Sequence, residues 1–357
     1  MMMDPIWQNE ERFSFALQSL YRKYGYIPYK MSRFEEYDLY VRNKDFLVSD
    51  QIITFSDRSG RLLALKPDVT LSIVKNAPEE PGVVQKVYYH ENVYRDYREI
   101  LQAGLECVGD LGDYEIAEVV LLAARSLQLL GDSWVLDISH MGLLAAVLEG
   151  SGLTMEQQNQ AMDYLNRKNY HQLKALCAGN PIWEKLSVIA SCRGGEEALE
   201  QMASVLTTRE EQQALQQLQA LWKVLKASGC EASVRLDFSV GNNMRYYSGV
   251  VFRGYLEGIP ASVLSGGQYD KLPRKMGRRA KAIGFAVYLD LLENRNLPEN
   301  AFDVDTLILH DGSADPLALT AAAEAAAQDG TVLVTRELPT GRSWKKLLRF
   351  EKGVWVK

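Results

Sequence analysis

The chain is poor in sulfur and in imidazole. Only four cysteines and four histidines occur in 357 residues. Cys107, Cys177, Cys192 and Cys230 make no CxxC pair, and His90, His140, His171 and His310 are equally scattered. Neither a zinc knuckle nor a disulfide framework is expected from such spacing, and no metal site. An excess of positive charge is missing too. Forty Lys and Arg against 46 Asp and Glu leave a net charge of −6, so nothing global advertises a polyanion partner. No stretch reaches the roughly 18 uninterrupted apolar residues of a membrane span. Met1-Met2-Met3-Asp4-Pro5 also lacks the cationic and then apolar start of a signal peptide. With 47% apolar and 24% charged residues, the expectation is a globular cytoplasmic protein with reduced thiols.

What is present is a mixed pattern of elements. Asp4-Pro5 reads as a helix start, a capping side chain with proline at the first helical position. Phe13, Ala16, Leu17, Leu20 and Tyr21 then recur at helical spacing up to Gly25. Residues 26–110 read mostly as strands, with turns at Asp57 to Gly60 and Pro78 to Gly82. A helix is expected from Tyr114 to Leu130, and a buried strand from Trp134 to Ile138. Residues 150–228 are rich in Gln, Leu, Ala, Glu and Lys and read as amphipathic helices broken near Pro181 and Gly194. Strands resume from Ser233 to Phe285, and the tail from Asp303 reads as strand, alanine-rich helix and strand. The fold class expected is α+β, an antiparallel sheet flanked by helices. The expected division is a core over 1–149 and 229–295, a helical insertion over 150–228, and a small α/β segment over 296–357.

Chemistry is concentrated in a few blocks. If Arg98 to Val108 is a strand, alternation puts Leu101, Ala103, Leu105 and Cys107 on one face and Arg98, Gln102, Gly104 and Glu106 on the other. The second set could floor a ligand site, with Gly104 as a gap where a small molecule approaches the backbone. Alternation alone is equally met by a half-exposed strand with solvated polar residues. The strand before it, Lys86 to Arg95, is joined through the short turn Asp96-Tyr97. Three further blocks are Leu65-Lys66-Pro67-Asp68-Val69-Thr70, the stretch Asp237 to Gly249 with Tyr246-Tyr247, and Ser265-Gly266-Gly267-Gln268-Tyr269-Asp270. The last is Gly284-Phe285-Ala286-Val287-Tyr288-Leu289-Asp290-Leu291.

In order and separation these blocks resemble the class II histidyl-tRNA synthetases. There the return strand reads Arg-Gln-x-x-Gln-x-Gly-x-Glu, matched here by Arg98, Gln102, Gly104 and Glu106. The departures are as informative as the matches. Leu291 stands where that family has an arginine on the ATP phosphates, Asn242 stands at its catalytic arginine, and the turn at Asp96-Tyr97 is shorter than its loop. Removing one electrostatic donor typically costs about 10²–10³ in rate, so two losses would make adenylation negligible.

A retained amino-acid pocket without an activation site resembles the ATP phosphoribosyltransferase regulatory subunits, a paralogous family. The resemblance implies a non-catalytic partner of the short-form catalytic subunit at the first step of histidine biosynthesis. It also implies a class II homodimer core, a hetero-octamer, L-histidine as allosteric effector, no cofactor and no tRNA. For the pocket it implies Asp68, Thr70 and Gln102 at the α-amino group and Arg95 at the carboxylate. Glu106, Tyr246 and Tyr269 would hold the imidazole, with Tyr247 beside them. An active histidyl-tRNA synthetase, or another amino-acid-sensing paralogue, stands as the alternative.

Overall fold

The computed structural model describes residues 9–47, 51–78, 80–240, 246–292, 302–312, 315–351 and 354–356. The expected helix start at Asp4-Pro5 lies outside them, as do Asn242 and Arg245. Helix α1 (Asn9–Lys23) buries Phe13, Leu17 and Tyr21 along one stripe. It leads to β1 (Ile27–Pro28), β2 (Phe34–Glu36), α2 (Tyr37–Arg42), β3 (Thr54–Ser56), β4 (Leu62–Leu65) and α3 (Thr70–Lys75). The two short helices correct the reading of this region as mainly strand. Their aromatic and branched residues carry a strand signal, yet Tyr40 in α2 and Leu71, Ile73 and Val74 in α3 are buried in the core. Tertiary packing outweighs local preference there.

The hairpin of β5 (Val84–Arg95) and β6 (Arg98–Gly109) is the backbone of the site. Asp96 and Tyr97 close it with φ of 51° and 60°, the two positive-φ residues of a tight two-residue hairpin turn. Then follow α4 (Asp113–Leu130), β7 (Trp134–His140) and α5 (Met141–Glu149). A helical run comprises α6 (Met155–Asn166), α7 (Tyr170–Leu176), α8 (Ile182–Ser191), α9 (Glu196–Val205) and α10 (Arg209–Ala227). The chain returns through β8 (Val234–Leu236), β9 (Val250–Leu256), β10 (Leu264–Gln268), α11 (Lys271–Lys275) and β11 (Lys281–Tyr288).

These strands form an eight-stranded sheet in the order β1-β5-β6-β11-β10-β9-β7-β8. It is antiparallel except at β1–β5 and β7–β8. A separate three-stranded sheet joins β2, β4 and β3. One face of the large sheet is apolar and covered by helices. Tyr21 of α1 meets the rings of Tyr88 and Phe285 at 6.2 and 5.9 Å, and α4 packs across β7, β9, β10 and β11. Ala103, Leu105 and Cys107 are buried. Each leucine-sized side chain so buried contributes about 1.5–3 kcal/mol. The other face carries Gln102, Gly104 and Glu106, as period-two geometry requires.

The chain divides into two compact units. The larger spans Glu10–Glu293 and includes the helical run, whose α10 packs on α4, α5 and α9. The smaller holds β12 (Val304–His310), α12 (Pro316–Ala327), β13 (Val332–Thr335), β14 (Trp344–Glu351) and β15 (Val354–Val356), in the order β13-β12-β14-β15. β14, parallel to β12, and β15, antiparallel to β14, are two strands beyond the expected strand–helix–strand tail. Among the described residues no helix is long and apolar enough to cross a membrane.

Candidate functional site

A cavity of about 590 Å³ opens on the polar face of the large sheet. Its floor is laid by register. Gly104 pairs with Ala286, which pairs with Ser265, which pairs with Arg253, so β6, β11, β10 and β9 present small residues between long ones. All eight candidate residues line this cavity. Asp68 and Thr70 come from the segment entering α3, Arg95 from the end of β5, and Gln102 and Glu106 from β6. Tyr246 and Tyr247 precede β9, and Tyr269 follows β10.

Glu106 is the centre of the arrangement. It is 2% exposed, which removes the solvated-strand alternative for this face. Thr70 Oγ1 donates to one carboxylate oxygen at 2.8 Å, and the Tyr269 hydroxyl donates to the other. Burial pushes the Glu106 carboxyl up to about 8, against the opposing pull of the two hydroxyls. Gly284 faces Glu106 across the β6–β11 pairing. A Cβ at Gly284 would occupy the place of the Glu106 carboxylate, so this glycine is what lets the acid lie flat on the floor.

The expected gap at Gly104 is corrected. A Cβ there would lie 2.5 Å from the Tyr89 hydroxyl. The glycine accommodates the Tyr89 ring, and no ligand can approach its backbone.

The segment entering α3 is fixed from below. Buried Lys66 pairs with Glu91 of β5, and Asp68 Oδ1 accepts from the Leu71 amide at 3.0 Å. Burial raises the Asp68 carboxyl while nearby Arg95 lowers it, and burial prevails. Arg95 itself is engaged. Its Nε donates to the Pro67 carbonyl at 2.6 Å, and a terminal nitrogen lies 3.7 Å from Asp68. The Gly-Gly-Gln-Tyr-Asp turn is held by Asp270, which accepts from Gln268 Nε2 at 2.8 Å and from the Ala282 amide at 3.0 Å. That clamp aims Tyr269 at Glu106.

Around the acid, rings pack at 4.7 Å (Tyr246–Tyr247) and 5.7 Å (Tyr246–Tyr269). Burial raises the hydroxyls of all three tyrosines, so they stay neutral at physiological pH. Gln102 is 2% exposed and its Nε2 has no hydrogen-bond partner among the described residues. A buried unsatisfied donor costs about 1–3 kcal/mol, and a ligand atom would relieve it. Among the described lining residues there is no His, Cys or Lys. The described residues also contain no cluster of three or more His, Cys, Asp or Glu that could hold a metal.

Two placements bear on the expected loss of an activation site. Leu291 lies in the turn after β11 and is 36% exposed, away from the cavity lining. Arg253, however, does line the cavity. Arg253 was not among the residues expected in the pocket. The sequence signal was there: an arginine interrupts the apolar strand Val250–Leu256 on the same side as Val251. Ser265 and Tyr288, hydrogen-bonded at 2.7 Å, were likewise not assigned.

The geometry is that of a polar cavity lined by carboxylates, tyrosines and arginines on a class II synthetase-type sheet. A sequence model for histidyl-tRNA synthetase matches residues 2–292, and the chain belongs to that family. The relatives that match include ATP phosphoribosyltransferase regulatory subunits. The one from Oceanobacillus iheyensis is 30% identical over 290 residues, covering 77% of this chain and 71% of the relative. A Bacillus halodurans structure described as an ATP phosphoribosyltransferase regulatory subunit/histidyl-tRNA synthetase aligns with TM-score 0.79 at 24% identity. It covers 97% of this chain and 94% of its own. The ATP phosphoribosyl transferase complex of Thermotoga maritima contains a chain with the same fold, at TM-score 0.61, 19% identity and coverage of 79% and 97%.

Proposed function

We propose that this chain is a non-catalytic regulatory subunit that assembles with a short-form ATP phosphoribosyltransferase catalytic subunit in the cytoplasm. In this reading it is needed for catalytic-subunit activity at the first step of L-histidine biosynthesis and passes on feedback inhibition by histidine. The names of its relatives support the partnership, as does a structural neighbour described as such a complex. A class II homodimer core within a hetero-octamer is the assembly proposed.

The observation that carries the effector reading is the buried Glu106, held by two hydroxyls and, among the described residues, by no fixed cation. A carboxyl so placed can exchange one proton with an imidazole nitrogen, while Tyr246 and Tyr269 flank the ring and Tyr247 narrows the pocket. Asp68 and the free lone pairs of Thr70 receive the α-amino group, with Gln102 beside them. Charge-assisted bonds of this kind are roughly twice as strong as neutral ones. Histidine then inhibits by binding one arrangement of the assembly better than another, and the shift cannot exceed that difference in affinity.

Absence of aminoacylation is supported by Leu291, by the two-residue turn of the β5–β6 hairpin, and by the net charge of −6. A triphosphate would lack its clamp, and tRNA would lack the loop that meets it. Two assays test the proposal. Mixed with a short-form catalytic subunit, the chain is expected to co-elute and to switch on phosphoribosyl transfer. Histidine-dependent ATP–pyrophosphate exchange is expected to stay at background, and measurable exchange would return the chain to the synthetases.

A further inference from the structure

We propose that Arg253 is the anion anchor of this cavity and takes the carboxylate of the bound amino acid, in place of Arg95. The inference rests on the effector reading above and refines it. Among the described residues two arginines line the cavity, Arg95 and Arg253. Arg95 already has its Nε on the Pro67 carbonyl and a terminal nitrogen beside Asp68, so its charge is partly offset and fewer of its five N–H groups remain for a ligand. Arg253 has no carboxylate within ion-pair distance among the described residues, although Glu106 and Asp68 line the same cavity.

Its surroundings are those of an anion site. Arg253 pairs across β9–β10 with Ser265, whose hydroxyl meets that of Tyr288 at 2.7 Å. Tyr288 pairs across β11–β6 with Gln102, the residue whose Nε2 is buried without a partner. The guanidinium charge also reaches Tyr247, opposing the rise of its hydroxyl. Three strand spacings, about 14 Å, separate the backbones of β6 and β9. Between them stand only Ala286 and Ser265 on the Arg253 row. Gln102 lies on the neighbouring row beside Tyr288, and both it and Arg253 line the one cavity, so a ligand there meets both heads. The cavity thus has an acidic pole at Glu106 and Asp68 and a donor pole at Arg253, Ser265, Tyr288 and the Nε2 of Gln102, whose Oε1 is left for the α-amino group. A zwitterion spans both.

The consequence is selection for a carboxylate. Titration calorimetry with L-histidine and with histamine, which lacks that group, is done on the whole chain and on Arg253→Gln and Arg253→Lys. The wild type is expected to prefer L-histidine by roughly 10- to 100-fold, the worth of a hydrogen bond to a charged group. R253Q should lose that factor for L-histidine and keep histamine binding unchanged, and R253K should recover part of it. Circular dichroism checks that the variants are folded. The anchor is overturned if R253Q binds L-histidine as the wild type does, if it loses both ligands equally, or if the wild type binds both alike. A wild type silent to millimolar L-histidine would instead remove the effector reading, and the anchor with it.

Discussion

Two buried glutamates show how differently one residue type is used in the two halves of the larger unit. Glu211 in the helical run is 1% exposed and Glu106 on the sheet is 2% exposed. Burial works to raise Glu211, but Lys185 and the amides of Thr207 and Thr208 overcome it and hold the carboxyl below its usual range. Among the described residues Glu106 has two neutral hydroxyls and no cation, and its carboxyl is pushed up to about 8. The first is paid for by its own fold. The second is left with chemistry that only a visitor completes. A buried charge that is fully partnered reads as structure, and one that is under-partnered beside an orphaned Gln102 reads as a site.

The sharpest way to break this contrast is to remove each acid. Glu211→Ala strands Lys185 and uncaps α10, and should cost about 3 kcal/mol in urea unfolding, as breaking buried pairs does. Histidine affinity should not change. Glu106→Gln should do the reverse, weakening L-histidine by about 1.5–3 kcal/mol with the fold intact. Comparable unfolding losses in both variants would erase the distinction.

The pH dependence carries opposite signs. A carboxyl raised on folding contributes stability that is intact below its unfolded value and lost as pH climbs to the folded one. Glu106 should therefore erode apo stability between about pH 4.5 and about 8, and E106Q should remove that slope. Glu211, lowered on folding, contributes stability above its unfolded value that is lost in acid. Ligand binding follows from one shared proton. L-histidine affinity should be flat between about 6.5, where free imidazole titrates, and about 8, where free Glu106 does. It should fall on both sides, by about tenfold per pH unit at most. E106Q should keep the acid limb and lose the alkaline one by calorimetry. The smallest effect is expected at exposed Leu291. Leu291→Ala should stay within about 0.5 kcal/mol in both stability and binding, and a tenfold change in affinity would mean that the site extends beyond the cavity.

The helical run was readable because amphipathic spacing reports burial directly, and Ala214, Leu218, Leu221 and Leu225 line the buried stripe of α10. The two faces of β6 were readable by the same logic. Burial of its polar face was not, because Gln102 and Glu106 alternate in the same way on a solvated strand. Only the order of the motif blocks pointed to a site. Gly104 was misread for a related reason. A glycine in a strand marks a close approach, and the sequence does not say whether a ligand or the Tyr89 ring makes it. Arg253 lies outside the blocks, and its role appears only when β9 is set beside β10. The helices α2 and α3 were hidden because their residues favour strands and are held helical by what they pack on.

The central claim is that histidine acts on a partner enzyme through the Glu106 pocket. The most direct measurement reconstitutes a short-form ATP phosphoribosyltransferase with either wild-type chain or E106Q and follows phosphoribosyl transfer against L-histidine concentration. The account predicts equal activity without histidine, and inhibition of the E106Q assembly that requires roughly 10- to 100-fold more histidine. Identical inhibition curves for the two assemblies would contradict it.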